Sequence, residues 1–365
     1  MNREYETFLD LVRLGTGVRD PKEIHTDSQI DWHELQSIAN KQGLSAVVLD
    51  GLETLPPEIK PNKIDLLQWI GEVLQSESVY ASQRKAAEEM AHLFHSNGIR
   101  TYVLKGAVIA KCYPRPEHRS SADMDCFLLP EKSDFDAWVL GNDLIKANGF
   151  DVNEDFYKNS TFYLPGLMVE NHKFLTPFRG NKRLRSLEIM LQSMLKDDLG
   201  GAGREEERVI ENTWLYRPPV MVTALFLIEH AYSHFLHDGL TWRHILDWML
   251  FSKKHKKEID WCSLDAMIDE FGFRKFYDSY ERLGRFLLGD IEEGDLKNND
   301  KRMLEDVWSD LHLTETYYGL KAKVSFALNT IRSWWKYHYF AEISMPHALW
   351  IQVRGFLFMK HPTLV

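Results

Sequence analysis

Between about residues 99 and 175 the hydrophobic pattern of this chain changes period, and afterwards it changes back. Before the change, DWHELQSIANKQGLSAVVLDGLETL and the long stretch IDLLQWIGEVLQSESVYASQRKAAEEMAHLFHSNGI place apolar residues three and four apart. That is the spacing of helices with one buried face. Pro56-Pro57 breaks the first pattern and Asn97-Gly98 marks the stop of the second. Short apolar runs follow. IRTYVLKG ends at Gly106, DMDCFLL is bounded by Pro130, and STFYL is joined to LMVENHKFL by Pro165-Gly166. A turn dipeptide between two β-rich runs reads as a hairpin. From about residue 183 the helical spacing returns. A strand-rich block between helical ends predicts an α+β protein, predominantly helical, with a small mixed β-sheet.

The expected organisation is an N-terminal helical region over 1–95, an α/β core over 96–195 and a C-terminal helical domain over 196–365. Inside the core, AVIAKCY reads as a short helix, and SDFDAWVLGNDLIKANGF as a longer one with Ser133 as its N-cap. Further helices are expected at 218–237, 241–255, 262–271, 273–288, 300–310 and 317–336. GGAGREEE reads as a loop, and it lacks the Lys-Ser/Thr of a phosphate-binding P-loop. The aromatic run SWWKYHYF could stack bases, but aromatics at helical spacing more often fill a core.

Charge narrows the partners. The chain carries a formal net charge of -10, so long nucleic acid is not expected to bind through a broad basic surface. The three cysteines, Cys112, Cys126 and Cys262, are scattered and form no CxxC pair. A reduced, cytoplasmic protein is the expectation. No window reaches the roughly 18 uninterrupted apolar residues of a membrane span. The nearest, HALWIQVRGFLFM, is short and broken by Arg354, and reads as a packed helix. Nothing in the pattern sets an oligomeric state.

The acidic strand carries the chemistry. On a strand, Asp123, Asp125 and Phe127 share one face and Met124, Cys126 and Leu128 the other. The second face can be buried while the acids point outward. Two carboxylates this close repel unless a cation lies between them. Magnesium takes hard oxygen ligands, a few carboxylates together with substrate phosphates and water. Alone, D-x-D is weak evidence, more often found on a surface strand or turn than in a site. Its neighbours favour a site. Lys105-Gly106 ends a strand just before a helix, and free N–H groups at a helix start suit phosphate. Arg119 could reach a phosphate, or could pair with a nearby carboxylate. Glu170 is the better candidate for a third acid, with His172 on its face, and Glu188 is the other. His230 and His234 lie four apart, but Ala231 stands where H-E-x-x-H needs glutamate, so a protease zinc site is not expected. Arg243 and Asp247 are also four apart and could pair along their helix.

Together these residues resemble the nucleotidyltransferase superfamily that includes DNA polymerase beta. The chain departs from it where Lys105-Gly106-Ala107 replaces the usual Gly-Ser. That replacement is similar to one branch, the bacterial uncharacterised nucleotidyltransferases. The branch carries L-K-G, then R-x-x-x-D-[IM]-D, then V-E-L-H. The matching residues are Leu104 to Gly106, Arg119 to Asp125, and Val169 to His172, with Asn171 in place of leucine. The segment FLIEHAYSHFLHDGLTWRHILDWMLF looks like the branch's stretch with two histidines, an arginine and an aspartate, here His230, His234, Arg243 and Asp247.

The resemblance implies transfer of a nucleoside monophosphate from an NTP such as ATP to an acceptor, with pyrophosphate release. Asp123, Asp125 and Glu170 would be catalytic and would hold Mg2+ (or Mn2+). Lys105, Gly106 and Arg119 would bind the nucleotide. His172, His230, His234, Arg243 and Asp247 would support the cleft. The acceptor stays open: a small molecule, a sugar phosphate, a protein or an RNA end. The alternative is a nucleotide-binding regulatory or interaction protein with the same fold and little turnover.

Overall fold

The computed structural model describes residues 2–18, 30–132, 134–200, 208–209, 213–237, 239–309, 328 and 331–358. Most of the expected loop GGAGREEE, most of the expected helix 317–336 and the expected N-cap Ser133 lie outside these residues.

Four helices come first: α1 (Arg3–Gly15), α2 (Trp32–Lys41), α3 (Ser45–Glu53) and α4 (Lys63–Ser96). Their starts follow side-chain chemistry. Asn2, Asp31 and Asn62 accept hydrogen bonds from the first free backbone N–H groups of α1, α2 and α4. Asn97 and left-handed Gly98 (φ 73°) close α4 where the sequence signalled a stop. Gly15 and Gly51 lie where a Cβ would strike the facing backbone at Val47 and Leu11, so α1 and α3 pack with their backbones in close approach.

The core alternates strands and helices: β1 (Ile99–Val103), α5 (Ala107–Ala110), β2 (Asp123–Pro130), α6 (Ala137–Ala147), β3 (Val152–Asn153), β4 (Asn159–Leu164) and β5 (Leu167–His172). Asp136, rather than Ser133, caps α6. Then come α7 (Lys182–Gly200), β6 (Leu215–Tyr216), α8 (Val220–His237), α9 (Trp242–Lys254), α10 (Trp261–Glu270), α11 (Arg274–Leu288), α12 (Asn298–Trp308), α13 (Trp334–Phe340) and α14 (Met345–Phe358). Among the described residues the fold is predominantly helical α+β, around a mixed sheet of order β3-β4-β5-β2-β1-β6.

The β4–β5 hairpin turns at Gly166 (φ 76°), as expected from Pro165-Gly166. β2 pairs antiparallel with β1 and parallel with β5. The two-residue strands β3 and β6 extend the sheet at its edges and were not visible in the hydrophobic pattern.

One expectation fails on β2. The outward face of its acids is covered, and every residue from Met124 to Leu129 is buried. The strand lies in the middle of the sheet, so helices pack on both sides. Leu128 reaches Gly141 of α6 on one side. Phe127 is in register with His172, whose ring contacts Phe226 of α8, on the other.

The N-terminal helices are joined to the C-terminal ones by polar ties as well as by core packing. Arg13 donates to the carbonyls of Phe286 and Leu287 at the end of α11 (2.7 and 2.8 Å). Gln42 donates to Val307 of α12 and accepts from the Trp242 N–H that opens α9. The aromatic run is largely core, with Tyr337 and Phe340 buried, while Trp334 is exposed. Among the described residues, no helix is long and apolar enough to cross a membrane.

Candidate active site

Strand register brings the two chosen acids side by side. β2 and β5 run parallel with Asp125 opposite Glu170 and Phe127 opposite His172. Paired residues in a sheet face the same way, so Asp125, Glu170 and His172 gather on the side that α8 covers. Asp123 lies one strand repeat earlier and is half-buried, as is Glu170.

His172 stands between the carboxylates. Its Nε2 is 3.0 Å from Asp125 Oδ1 and 3.6 Å from Glu170 Oε2, and its Nδ1 is 3.2 Å from the Phe174 carbonyl. Carboxylate and carbonyl oxygens only accept, so both ring nitrogens donate and the ring is imidazolium. Burial pulls the His172 pKa down, but the hydrogen bonds to Asp125 and Glu170 outweigh it and the net direction is up.

Lys105 reaches the same carboxylate from the end of β1. Its Nζ is 3.5 Å from Asp125 Oδ2. Burial alone would raise the Asp125 pKa, yet Lys105 and the His172 hydrogen bond hold it well below the usual carboxylate range. Asp123 moves the other way: burial and the Asp125 charge push it up. The two acids are thus shifted in opposite directions, Asp125 down and Asp123 up.

The turn after Lys105 depends on glycine. Gly106 has φ 53° and ψ -111°, which L side chains rarely adopt. The helix that follows, α5, has four residues. One turn carries little macrodipole, so the N-terminus of α5 is by itself a weak anion site.

Arg119 and Asp247 form a buried brace. Arg119 donates from Nε and Nη2 to Asp247 Oδ1 and Oδ2 (2.8 and 2.7 Å), and Tyr113 donates to the same Oδ1 at 2.7 Å. Arg119 is therefore spent on a carboxylate, the other of its two sequence readings. The expected Arg243–Asp247 pair is replaced for the same reason: Asp247 is already filled. Arg243 donates instead to the Ser120 carbonyl at 2.6 Å. Both arginines fasten the loop before β2 to α9.

Glu188 is buried in α7, where it accepts from the Leu175 and Thr176 N–H groups at 3.0 and 2.7 Å. Its carboxylate holds the loop after β5.

Three participants escaped the sequence. His244 of α9 joins His230 and His234 of α8, one ring nitrogen of each lying within 4.8 Å of the others. Lys158, half-buried just before β4, acts through its charge on Asp125, His172, His230 and His234. Glu229 of α8 is buried, and neither carboxylate oxygen has a hydrogen-bond partner among the described residues. Burial pushes its pKa up to about 7, against the pull of Lys158. The T-W-R-H run at 241–244 was a usable signal for His244. A lone lysine in a loop offered none for Lys158.

A family model described as uncharacterised nucleotidyltransferase matches residues 28–288. That span takes in every side chain of the site described above. No curated protein and no solved structure matches the chain. With well over half its length matched, and the matched part carrying the acidic strand, its glycine turn and the hairpin acid, the chain belongs to the family of uncharacterised nucleotidyltransferases.

Proposed function

We propose that the protein transfers a nucleoside monophosphate from an NTP to an acceptor hydroxyl or phosphate, in a reaction that requires a divalent cation such as Mg2+ or Mn2+. The observation that carries this reading is the register of Asp125 against Glu170, with Asp123 one repeat away.

The donor set fits such a cation. Asp125 Oδ2 is buried without a hydrogen-bond partner among the described residues, with Lys105 Nζ 3.5 Å away, and Asp125 and Glu170 each offer a carboxylate oxygen within 4.8 Å of the other. Asp123, Asp125 and Glu170 supply hard oxygens, as magnesium prefers, and His172 orients Asp125 from behind. When bound, the cation would neutralise phosphate charge and polarise the α-phosphorus.

The chain's own groups do the rest. Lys105 offers a fixed positive charge beside Asp125 for the nucleotide's phosphates. Gly106 lets the chain turn there without a side chain in the way. Glu170, more exposed than Asp125, takes the acceptor proton. The acceptor oxygen then bonds to the α-phosphorus as the bond to the β-phosphate bridging oxygen breaks, and pyrophosphate leaves. Catalysis rests on positioning and charge neutralisation. Arg119 and Asp247 hold the loop before β2 so that Asp123 and Asp125 keep their places.

The test is to offer purified protein Mg2+, each α-labelled NTP and pools of small-molecule, protein and RNA acceptors. Label transfer with stoichiometric pyrophosphate is expected. Undiminished transfer by an Asp123→Asn/Asp125→Asn double variant would overturn the assignment.

A further inference from the structure

The imidazoles of His230, His234 and His244 form a second polar cluster beside the acids, which the proposed transfer step does not use. Their ring centroids are 4.4 Å (His230–His234), 4.8 Å (His234–His244) and 6.1 Å (His230–His244) apart. All three are half-buried, as is Arg243, although most of their neighbours along α8 and α9 are fully buried. The cluster therefore keeps some access to solvent that the surrounding core lacks.

Such a trio suggests a transition-metal site, but its hydrogen bonds speak against one. A metal takes the lone pair of a ring nitrogen. Lys105 Nζ lies 2.9 Å from His230 Nε2, and an ammonium can only donate. His230 Nε2 is thus an acceptor already in use, and its proton sits on Nδ1. The Thr241 backbone N–H donates to His244 Nδ1 at 3.2 Å, so the His244 proton sits on Nε2. Two of the three rings are committed to donors through their lone pairs. What they have left to offer is N–H.

The surrounding charge points the same way. Lys105, Lys158 and Arg243 all act on His234, with Asp125 the lesser opposing charge. Burial and these cations keep His234 neutral, with a pKa near 3. A divalent cation would enter a field that is already positive. An anion would meet N–H donors, an ammonium and a guanidinium.

We propose that His230, His234, His244 and Arg243 form a phosphate-receiving subsite beside the carboxylates, joined to them through Lys105. The ligand is a phosphate group, either the outer phosphates of the NTP or a phosphate on the acceptor. Only this choice of source rests on the nucleotidyl-transfer reading. The subsite itself does not.

The test is calorimetric titration of inorganic phosphate and tripolyphosphate into the full chain, with EDTA and no magnesium, so that no turnover is needed. Wild type binds, His234→Leu binds about ten-fold more weakly, as the loss of one hydrogen bond to a charged group predicts, and His234→Lys keeps its affinity because an ammonium replaces the donor. A non-hydrolysable NTP then separates the sources. If its affinity falls in His234→Leu, the NTP phosphates occupy the subsite. If only inorganic phosphate is affected, the acceptor's phosphate does. The proposal is overturned by absent phosphate binding in wild type or by equal affinity in His234→Leu. It is also overturned if cobalt(II) gives tetrahedral absorption bands in wild type that vanish in His234→Leu. If His234→Leu does not fold, Arg243→Gln takes its place in both the phosphate and the NTP titrations with the same expected outcomes, and absent phosphate binding in wild type still overturns the proposal.

Discussion

Asp125 and Glu170 are register partners on parallel strands, and His172 bridges them with one nitrogen 3.0 Å from the first and 3.6 Å from the second. Forty-five residues of chain separate these acids, and a single pairing of β2 with β5 brings them together. Asp125→Asn keeps the shape of the side chain and removes its charge. Nucleotidyl transfer should fall by about 100-fold or more, as expected for losing a carboxylate that holds the proposed cation. Pyrophosphate release at saturating NTP is the measurement. Activity within a few-fold of wild type would place the chemistry elsewhere.

The brace between Arg119 and Asp247 is buried on both sides, with side-chain exposures of 0% and 3%. Asp247→Asn strands a buried guanidinium and should cost about 3–5 kcal/mol of stability. A paired Arg119→Met/Asp247→Leu variant should recover much of that loss, because no uncompensated charge is left. Urea unfolding of both single variants and the double gives the coupling. Additive losses would mean that the pair is not a unit.

Glu229 makes stability depend on pH. Its folded pKa is raised, from 4.5 to about 7. The folded state therefore holds a proton that the unfolded state has released. Stability is lost as pH rises from the unfolded value through the folded one, and is level above it. The shift corresponds to roughly 3 kcal/mol at most. Glu229→Gln should flatten this contribution, so the variant gains on wild type between about pH 5 and pH 8. Thermal unfolding across that range checks the sign. A parallel pH profile for the two proteins would show that Glu229 is ionised and paired.

Gly106 has room for a methyl group but not the backbone for one. An added Cβ would meet Ser121 Oγ at 3.7 Å and the Asp123 carbonyl at 3.8 Å, both ordinary contacts. The cost of Gly106→Ala is therefore conformational, about 1–3 kcal/mol. Lys105 and Asp125 should be displaced with the turn, so NTP binding weakens along with stability. Stability equal to wild type in denaturant melts would contradict the positive φ.

Local features of the chain were legible because they depend on near neighbours. Hydrophobic period separates α4 from β1, Asn97-Gly98 ends the one, and Pro165-Gly166 turns β4 into β5. The glycine turn after Lys105 and the acid pair on β2 are local too. The strands β3 and β6 were not legible, because two residues carry no periodicity and their place depends on the sheet edge they meet.

Orientation was legible only in part. Alternation grouped Asp123 with Asp125 correctly on one face, but it could not say that α8 would cover that face. Burial of Asp125 is a consequence of strand order, and strand order is set by packing between distant segments. The same holds for Arg119. Its sequence permits a phosphate or a carboxylate, and the arrival of Asp247 from α9 decides between them.

By itself, then, the amino-acid sequence determined the helical and strand periods, the turns and the acidic strand with its glycine neighbour, since each follows from contacts within a few residues. Only the tertiary structure decided that Asp125 faces Glu170, that Lys105 joins the acids to His230, and that His244 completes the imidazole cluster. Those relationships join segments tens of residues apart, and long-range packing of the sheet against α8 and α9 selects them.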